Sequence, residues 1–266
     1  MSGKVIVVTS GKGGVGKTTT SANIGTGLAI RGRKVVLIDA DIGLRNLDVV
    51  MGLENRIVFD LVNVVEKTCK IKQALIKDKR FNNLFLLPAA QTREKDAVKP
   101  DQMKELCDEL RKEYDYIVID CPAGIEQGFK NAIAGADQAI IITTPDVSAV
   151  RDADRIIGLL QANEIPAPHL IINRVRPQMV RKGDMMDIDD VNDILAIELL
   201  GVVPDDETII VSTNRGEPSV MESSTKAGAA FRNIVARIEG EEVAFMSLDY
   251  DLGFFEKIGR LINNKK

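Results

Sequence analysis

The feature that most constrains the fold of this chain is a glycine-rich segment between a strand pattern and a helix pattern. Residues 5–8 are an unbroken run of valine and isoleucine, which predicts a buried strand. Residues 11–18 read Gly-Lys-Gly-Gly-Val-Gly-Lys-Thr, and a helix is predicted over residues 17–30. A strand, a glycine loop and a helix in this order are the context in which a P-loop binds phosphate groups.

The residues of this loop predict a site for a nucleotide with Mg²⁺, the alternative being a glycine-rich turn without a ligand. Glycines let consecutive N–H groups turn toward phosphate oxygens, and the start of the helix adds the positive end of its dipole. Lys17 supplies a charge to the phosphates, and Thr18 offers a hydroxyl to the metal ion. Lys12 is a second cation, able to reach phosphates in its own site or in another copy of the chain. The predicted phosphate-binding residues are Gly11, Lys12, Gly13, Gly14, Val15, Gly16, Lys17, Thr18 and Thr19.

Six further short apolar runs predict the rest of the sheet. They cover residues 35–38, 84–87, 117–119, 139–143, 170–172 and 202–203, with helical patterns between them. Apolar strands that alternate with helices indicate an α/β fold, a doubly wound, mostly parallel sheet with helices on both faces. In such a sheet ligands bind beyond the carboxyl ends of the strands. We expect one such domain over residues 1–240.

Three carboxylates follow strands of this predicted sheet. Asp39 and Asp41 follow the second run two residues apart on an extended strand end, which predicts that they point the same way, toward the P-loop if the sheet is ordered as expected. One of them can orient or deprotonate the attacking water while the other supports Mg²⁺; a solvated turn is the alternative. Asp120 ends an apolar strand, the Walker B arrangement in which a carboxylate holds Mg²⁺.

The remaining reactive side chains do not point to another chemistry. The single histidine, His169, lies at a strand start and is interpreted as a packing or surface residue. The three cysteines lack the spacing of metal ligands or redox pairs and are predicted to be buried, reduced thiols. The chemistry left is phosphoryl transfer to water, with Mg²⁺, lysines and backbone amides as the stabilising charges.

Composition indicates a well-packed protein that stays in the cytoplasm. The chain is 45% hydrophobic and 28% charged, and no apolar run has the length of a membrane span or a signal peptide. The net charge of −4 argues against a surface for non-specific nucleic-acid binding, so no nucleic-acid partner is expected.

The C-terminal residues predict an amphipathic helix. Residues 241–251 form an acidic connector, and residues 252–266 a tail with four basic residues against one acidic residue. At 100° per residue, five apolar side chains share one face: Phe254, Phe255, Ile258, Leu261 and Ile262. The favoured interpretation is a helix that lies on an anionic membrane surface, and the alternative is a helix docked on the body of the domain.

The signature Lys-Gly-Gly-x-Gly-Lys-Thr-Thr over residues 12–19 resembles the deviant Walker A motif of the ParA/MinD family of P-loop ATPases. The similarity covers almost the whole chain and is specific in residues 39–48, 91–96, 148–155 and 181–185. It implies an ATPase that uses ATP and Mg²⁺ and forms a homodimer around ATP, with Lys12 contacting phosphates across the dimer. The branch it resembles most closely positions the bacterial division septum.

The same resemblance implies roles for residues around the loop. Asp41 would position the attacking water, which makes Lys12, Lys17 and Asp41 the candidate catalytic residues. Asp39 would support the metal site together with Thr18 and Asp120. Asn173 and Asp205 would border the adenine, where an amide such as that of Asn173 can donate and accept at once.

The resemblance also implies binding partners. Ser148, Asp152 and Asp154 are candidate contacts for a MinC-like division inhibitor and a MinE-like activator; a solvated helix face is the alternative. The tail resembles the membrane-targeting sequence of the family, which implies a peripheral protein on the inner face of the cell membrane.

Four alternative functions remain open at this point. A chromosome- or plasmid-partition ATPase would need basic patches for DNA, and an iron–sulfur carrier would need paired cysteines. A scaffold that holds ATP without cleaving it would require a misplaced Asp41. A flagellar-placement ATPase of the same branch would share the tail.

Overall fold

The computed structural model describes residues 2–246, and its centre is one eight-stranded sheet. The strands are β1 (Lys4–Thr9), β2 (Val35–Asp39), β3 (Ile76–Lys77), β4 (Leu84–Leu87), β5 (Tyr116–Asp120), β6 (Gln138–Thr143), β7 (His169–Val175) and β8 (Glu198–Pro204). Their order across the sheet is β3-β4-β2-β5-β1-β6-β7-β8. Within the described residues all neighbours pair in parallel except β3, which is antiparallel to β4.

Helices connect the strands. The α-helices of the described chain are α1 (Lys17–Ile30), α2 (Leu47–Met51), α3 (Leu61–Val65), α4 (Ile71–Ala74), α5 (Pro100–Leu110), α6 (Gln127–Ile133), α7 (Val147–Ala162), α8 (Pro177–Lys182), α9 (Ile188–Leu195), α10 (Thr208–Asn214) and α11 (Lys226–Ile238). Short 3₁₀ turns lie at Glu54–Arg56, Lys95–Ala97 and Ser219–Met221. No described helix is both long and apolar enough to cross a bilayer.

Both faces of the sheet are covered, because alternate residues of each strand point to opposite sides. Val5 and Val7 of β1 belong to a core that α5, α6, α7 and α9 complete. Ile6 and Val8 belong to a second core, built with α1, α2 and α11. An unbroken apolar strand such as β1 is therefore the expected pattern for the centre of this sheet.

The strand order places a crevice beyond the end of β1. This strand lies between β5 and β6, and the strands added after β6 extend the sheet on the side away from β2. In an open α/β sheet, ligands bind beyond the carboxyl ends of the strands where the winding reverses. The loop that follows β1 is the glycine-rich segment, so the topology puts that segment at the expected binding position.

The structure confirms the predicted fold class, and each of the seven predicted runs lies within a strand. The sequence missed β3, a two-residue strand at the edge of the sheet. The prediction of buried thiols holds for Cys107 and Cys121 but is wrong for Cys69, which is half-buried. The membrane-facing residues predicted in the tail lie outside the described residues, and the domain boundaries stay predictions.

Candidate active site

The glycine-rich loop is shaped by two backbone conformations that side chains rarely adopt. Gly14 has φ of 79° and Gly16 has φ of 99°, both in the left-handed region. Glycine enters this region without steric cost, whereas other residues crowd the neighbouring carbonyl. The turn after β1 thus depends on glycine at both positions, and it is of the kind that gathers backbone N–H groups around an anion.

The first turn of α1 has the features of an anion site. Lys17 is the first residue of α1, which has no capping side chain and no acidic residue in its first turn. The Lys17 side chain is buried, and its Nζ donates to Ser10 Oγ at 3.0 Å. Ser10 Oγ in turn donates to the Lys12 carbonyl at 2.7 Å. A buried cation beside uncapped N–H groups fits a phosphate group.

Two buried carboxyl groups lie next to this loop. Asp39 ends β2 and Asp120 ends β5, and the register of the two strands sets them side by side with 1% and 2% of their surface exposed. Asp39 accepts hydrogen bonds from the N–H groups of Asp41 at 3.0 Å and Leu47 at 3.1 Å. Burial raises the pKa of Asp39 to about 8, and the charge of Asp120 adds to the rise. Burial also raises the pKa of Asp120, to about 6.

The donor set around this pair fits Mg²⁺. Asp120 accepts from Ser21 Oγ at 3.0 Å and shares a side-chain hydrogen bond with Thr18. Within residues 2–246 no three His, Cys, Asp or Glu side chains could hold a metal ion by themselves. Mg²⁺ needs no such cage, because it binds through one or two protein oxygens together with phosphate oxygens and water. Adjacent carboxylates that resist joint ionisation would be stabilised as anions by that cation.

Asp41 lies close to the Asp39–Asp120 pair, but in a turn and not on the extended strand end that was predicted. Strand β2 ends at Asp39, so the two-residue repeat that predicted a common direction does not continue to Asp41. The Asp41 carbonyl accepts from the N–H groups of Leu44 and Arg45 in a turn. The charge of Asp41 contributes to the raised pKa values of both Asp39 and Asp120. The three predicted carboxylates therefore converge beside the P-loop.

The two residues predicted to border the adenine lie on the side of the P-loop away from the carboxylates, because β7 and β8 are on the opposite side of β1 from β2 and β5. Asn173 is buried in β7, two residues before the end of the strand, and its Nδ2 donates to the Val15 carbonyl at 2.8 Å. Its Oδ1 accepts from the N–H of Arg174 at 2.9 Å. Asp205, directly after β8, accepts from Arg176 Nε at 2.5 Å. Asn173 thus supports the P-loop backbone, while contact with adenine stays a prediction.

The start of α7 touches the P-loop and carries the residues predicted to bind partners. Lys12 Nζ donates to Ser148 Oγ at 2.9 Å and lies 3.9 Å from Asp146 Oδ1. A Cβ placed on Gly11 would lie 2.3 Å from the Asp152 carbonyl oxygen. Ser148 and Asp154 are exposed and Asp152 is half-buried. Lys12, predicted to reach another copy, is bonded within its own chain here.

A second close contact joins the turns that follow α2 and α10. Gly52 caps α2 and Gly216 follows α10, both with φ of 66°. A Cβ on Gly216 would lie 2.4 Å from the Gly52 Cα, so the two turns touch backbone to backbone. Arg80 ties them together, since its guanidinium donates to the Gly216 carbonyl at 2.6 Å and to the Met51 carbonyl at 3.0 Å.

Sequence reasoning missed the polar residues that hold the predicted ones. Ser10 orients Lys17, Ser21 binds Asp120, and Asp146 accepts from Ser148 Oγ at 2.8 Å. Ser10 directly precedes the first glycine, which is a signal that could have been used. His169 was interpreted correctly. It is half-buried at the start of β7, at the amino end of the strands and away from the P-loop, next to Gln138.

Comparisons with known proteins found relatives that match this chain over most of its length. A family model described as an AAA domain matches residues 3–164. The septum site-determining protein MinD of Bacillus subtilis (strain 168) is 60% identical over 249 residues, 93% of each chain. A chain of the MinC:MinD cell division protein complex from Aquifex aeolicus has a TM-score of 0.83 and 46% identity, over 91% of this chain and 98% of that one. The septum site-determining protein MinD complexed with Mg-ADP from Pyrococcus horikoshii OT3 has a TM-score of 0.81 and 30% identity, over 89% and 96%.

Proposed function

This chain belongs to the MinD family, and we propose that it is a Mg-ATP-dependent ATPase that dimerises with ATP, binds the membrane reversibly and positions the division septum. One observation carries the proposal. The glycine loop, the buried Lys17 and the Asp39–Asp120 pair lie together in an arrangement that fits phosphate and Mg²⁺, in a chain that matches MinD over nearly its full length.

The P-loop would bind the phosphates of ATP. Its N–H groups and Lys17 compensate their charge, and the Mg-ADP complex of the Pyrococcus protein supports this choice of ligand. Asn173 keeps the loop in place through the Val15 carbonyl. Asn173 and Asp205 remain the proposed contacts of the adenine.

Thr18, Asp39 and Asp120 are the residues that would hold Mg²⁺, which supplies positive charge to the phosphate oxygens when it is bound. Asp41 is the proposed residue that positions the attacking water by accepting a hydrogen bond from it. Lys17 and Lys12 would stabilise the negative charge that develops on the transferred phosphoryl group.

Dimerisation would use Lys12 in a second arrangement. In this structure its ammonium group is held by Ser148 and Asp146 of its own chain, but about half of the side chain is exposed. An exposed ion pair contributes only about 0–1 kcal/mol, so phosphates of a second copy can compete for Lys12.

Membrane binding is assigned to the tail. A single helix with five apolar side chains and four basic residues binds anionic lipid weakly, because ordering it offsets much of the gain. Two tails on one dimer make the second contact intramolecular, which raises the avidity by roughly 10²–10⁴-fold. ATP-dependent pairing would therefore control adhesion, and hydrolysis would reverse it.

Partner binding is assigned to the exposed start of α7. The Aquifex structure is a complex of MinC and MinD, which supports recruitment of a MinC-like inhibitor by this chain. We propose Ser148, Asp152 and Asp154 as contacts for that inhibitor and for a MinE-like activator of hydrolysis. Because Ser148 bonds to Lys12, the proposed partner surface adjoins the nucleotide site.

Sedimentation with vesicles that contain phosphatidylglycerol tests the proposal. The full chain should sediment with Mg-ATP and stay in the supernatant with Mg-ADP, and a chain that ends at residue 251 should not sediment in either case. Asp41→Ala should bind ATP but stay on the vesicles, whereas Asp101→Ala, an exposed residue of α5, should behave as the parent. A monomeric chain that stays soluble with saturating Mg-ATP and lipid would refute the coupling.

A further inference from the structure

The described chain ends inside an apolar groove. The groove has a volume of about 540 Å³ and lies between α8, α9 and β8, the last strand of the sheet. Its wall is made by four half-buried side chains and by the last two described residues. These are Val180, Ile188, Leu199, Val202, Phe245 and Met246.

Arg237 fixes the route of the chain into this groove. Its guanidinium donates to the Val243 carbonyl at 2.9 Å and to the Ala244 carbonyl at 3.0 Å. A further bond of 2.9 Å to the Leu200 carbonyl ties this segment to β8, and the guanidinium carbon lies 4.1 Å from the centre of the Phe245 ring. The residues that follow Met246 therefore start at the groove itself.

The groove is apolar but incompletely covered. Phe245 is 52% exposed although it stacks on an arginine, and the four side chains from α8, α9 and β8 pack on the core with one side only. Exposed apolar surface of this kind favours an apolar occupant. The tail offers five apolar side chains on one face.

The charge around the groove complements the tail. Asp187 and Asp189 line it, and Asp190 lies beside them on α9. All three are exposed, and none forms a salt bridge with another residue between 2 and 246. Arg181 is the one cation on the groove wall within that range. The tail carries its basic residues beside its apolar face, so docking would set cations near these aspartates.

We propose that, away from lipid, residues 252–266 fold back onto this groove with Phe254, Phe255 and Ile258 against its apolar wall. The seven residues 247–253 can span at most about 23–25 Å, which allows return to a groove that begins at Met246. The inference rests on the lipid-binding role proposed above for the tail. The same apolar face cannot contact groove and lipid together, so docking lowers the apparent lipid affinity by the undocked fraction.

A single tryptophan reports on docking, because the chain contains none. Phe255→Trp in the full chain, without nucleotide or lipid, should give blue-shifted emission and weaker acrylamide quenching than the same substitution in a peptide of residues 247–266. Ile188→Asp, inside the groove, should restore peptide-like quenching. Ile194→Asp, an exposed position of the same helix outside the groove, should change nothing. Val180→Asp replaces Ile188→Asp if circular dichroism shows that the latter unfolds the protein.

Vesicle binding gives a second readout. If about nine tails in ten are docked, release by a groove variant should lower the lipid concentration for half-sedimentation about 10-fold relative to Ile194→Asp, which carries the same added charge. Peptide-like quenching in the full chain, or quenching that groove variants do not change, would overturn docking. If protection of the tryptophan from acrylamide increases with protein concentration, docking within one chain would also be overturned, in favour of a second copy as the occupant of the groove. Docking without any vesicle binding would instead leave this inference standing and refute the membrane function.

Discussion

Gly11→Ala is a direct test of the contact between the P-loop and α7. A Cβ at Gly11 would lie 2.3 Å from the carbonyl oxygen and 2.6 Å from the Cβ of Asp152. Both distances are far below van der Waals contact, and the opposing atoms belong largely to backbone that cannot rotate away. Loop and helix must separate to admit the methyl group.

The magnitude follows from the cost of overpacking, which is about 1–3 kcal/mol when a rigid site must shift. Unfolding entropy scales with chain length, so this cost corresponds to a fall in Tm of about 2–5 °C for a domain of this size. Gly13→Ala is the matched control, since its added Cβ would meet only Ala123, at 3.9 Å. Neither glycine has positive φ, so both substitutions restrict the unfolded chain to the same extent.

The assay is urea and thermal unfolding of both variants without nucleotide, so that phosphate binding does not enter the comparison. Gly11→Ala should unfold at a lower urea concentration than Gly13→Ala. The slope of the free energy of unfolding against urea concentration should be the same in both variants. Equal midpoints would show that α7 moves aside freely and that the close contact does not affect the stability of the fold.

Three other expectations concern the thiols, the P-loop support and the C-terminal anchor. At pH 8 Cys69 should react faster with a thiol reagent in the folded protein than Cys107 or Cys121, because Cys69 is only half-buried whereas burial raises the pKa of the other two to about 12; a second thiol that reacts as fast as Cys69 would contradict this burial. Asn173→Ala should weaken ATP and ADP binding alike, since it removes a loop contact of about 1 kcal/mol rather than a contact specific to one nucleotide; equal affinities in parent and variant would contradict that support. Arg237→Ala should speed hydrogen exchange in the segment after α11, measured by mass spectrometry, and unchanged exchange would show that other contacts hold it.

Local sequence patterns predicted much of the fold, because short-range interactions determine where elements such as α1 begin and end. The predicted helix over residues 17–30 agrees with α1 at both ends. Its start follows from a glycine turn and its end from the Arg-Gly pair at residues 31–32. Strand β8 extends from Glu198 to Pro204, well beyond the predicted residues 202–203, because pairing with β7 holds its outer residues.

The contacts within the site were less accessible to sequence reasoning. Ser21 and Asp120 are 99 positions apart and meet only because the sheet sets β5 beside the start of α1. The burial of Asp39 beside Asp120 likewise follows from strand order, which no local pattern contains. Types of residue and their positions at strand ends were predictable, whereas partners and burial required the tertiary structure.

The backbone contact between Gly52 and Gly216 has a consequence for motion in the molecule. Asp39 holds the first residue of α2, and the far end of that helix rests against the turn that ends α10. The two turns touch backbone to backbone, so no flexible side chain lies at the point of contact to absorb a push. A shift of α2 toward α10 must therefore displace α10, and the hydrogen bonds of Arg80 to both turns couple the reverse shift, so the two helix ends move together.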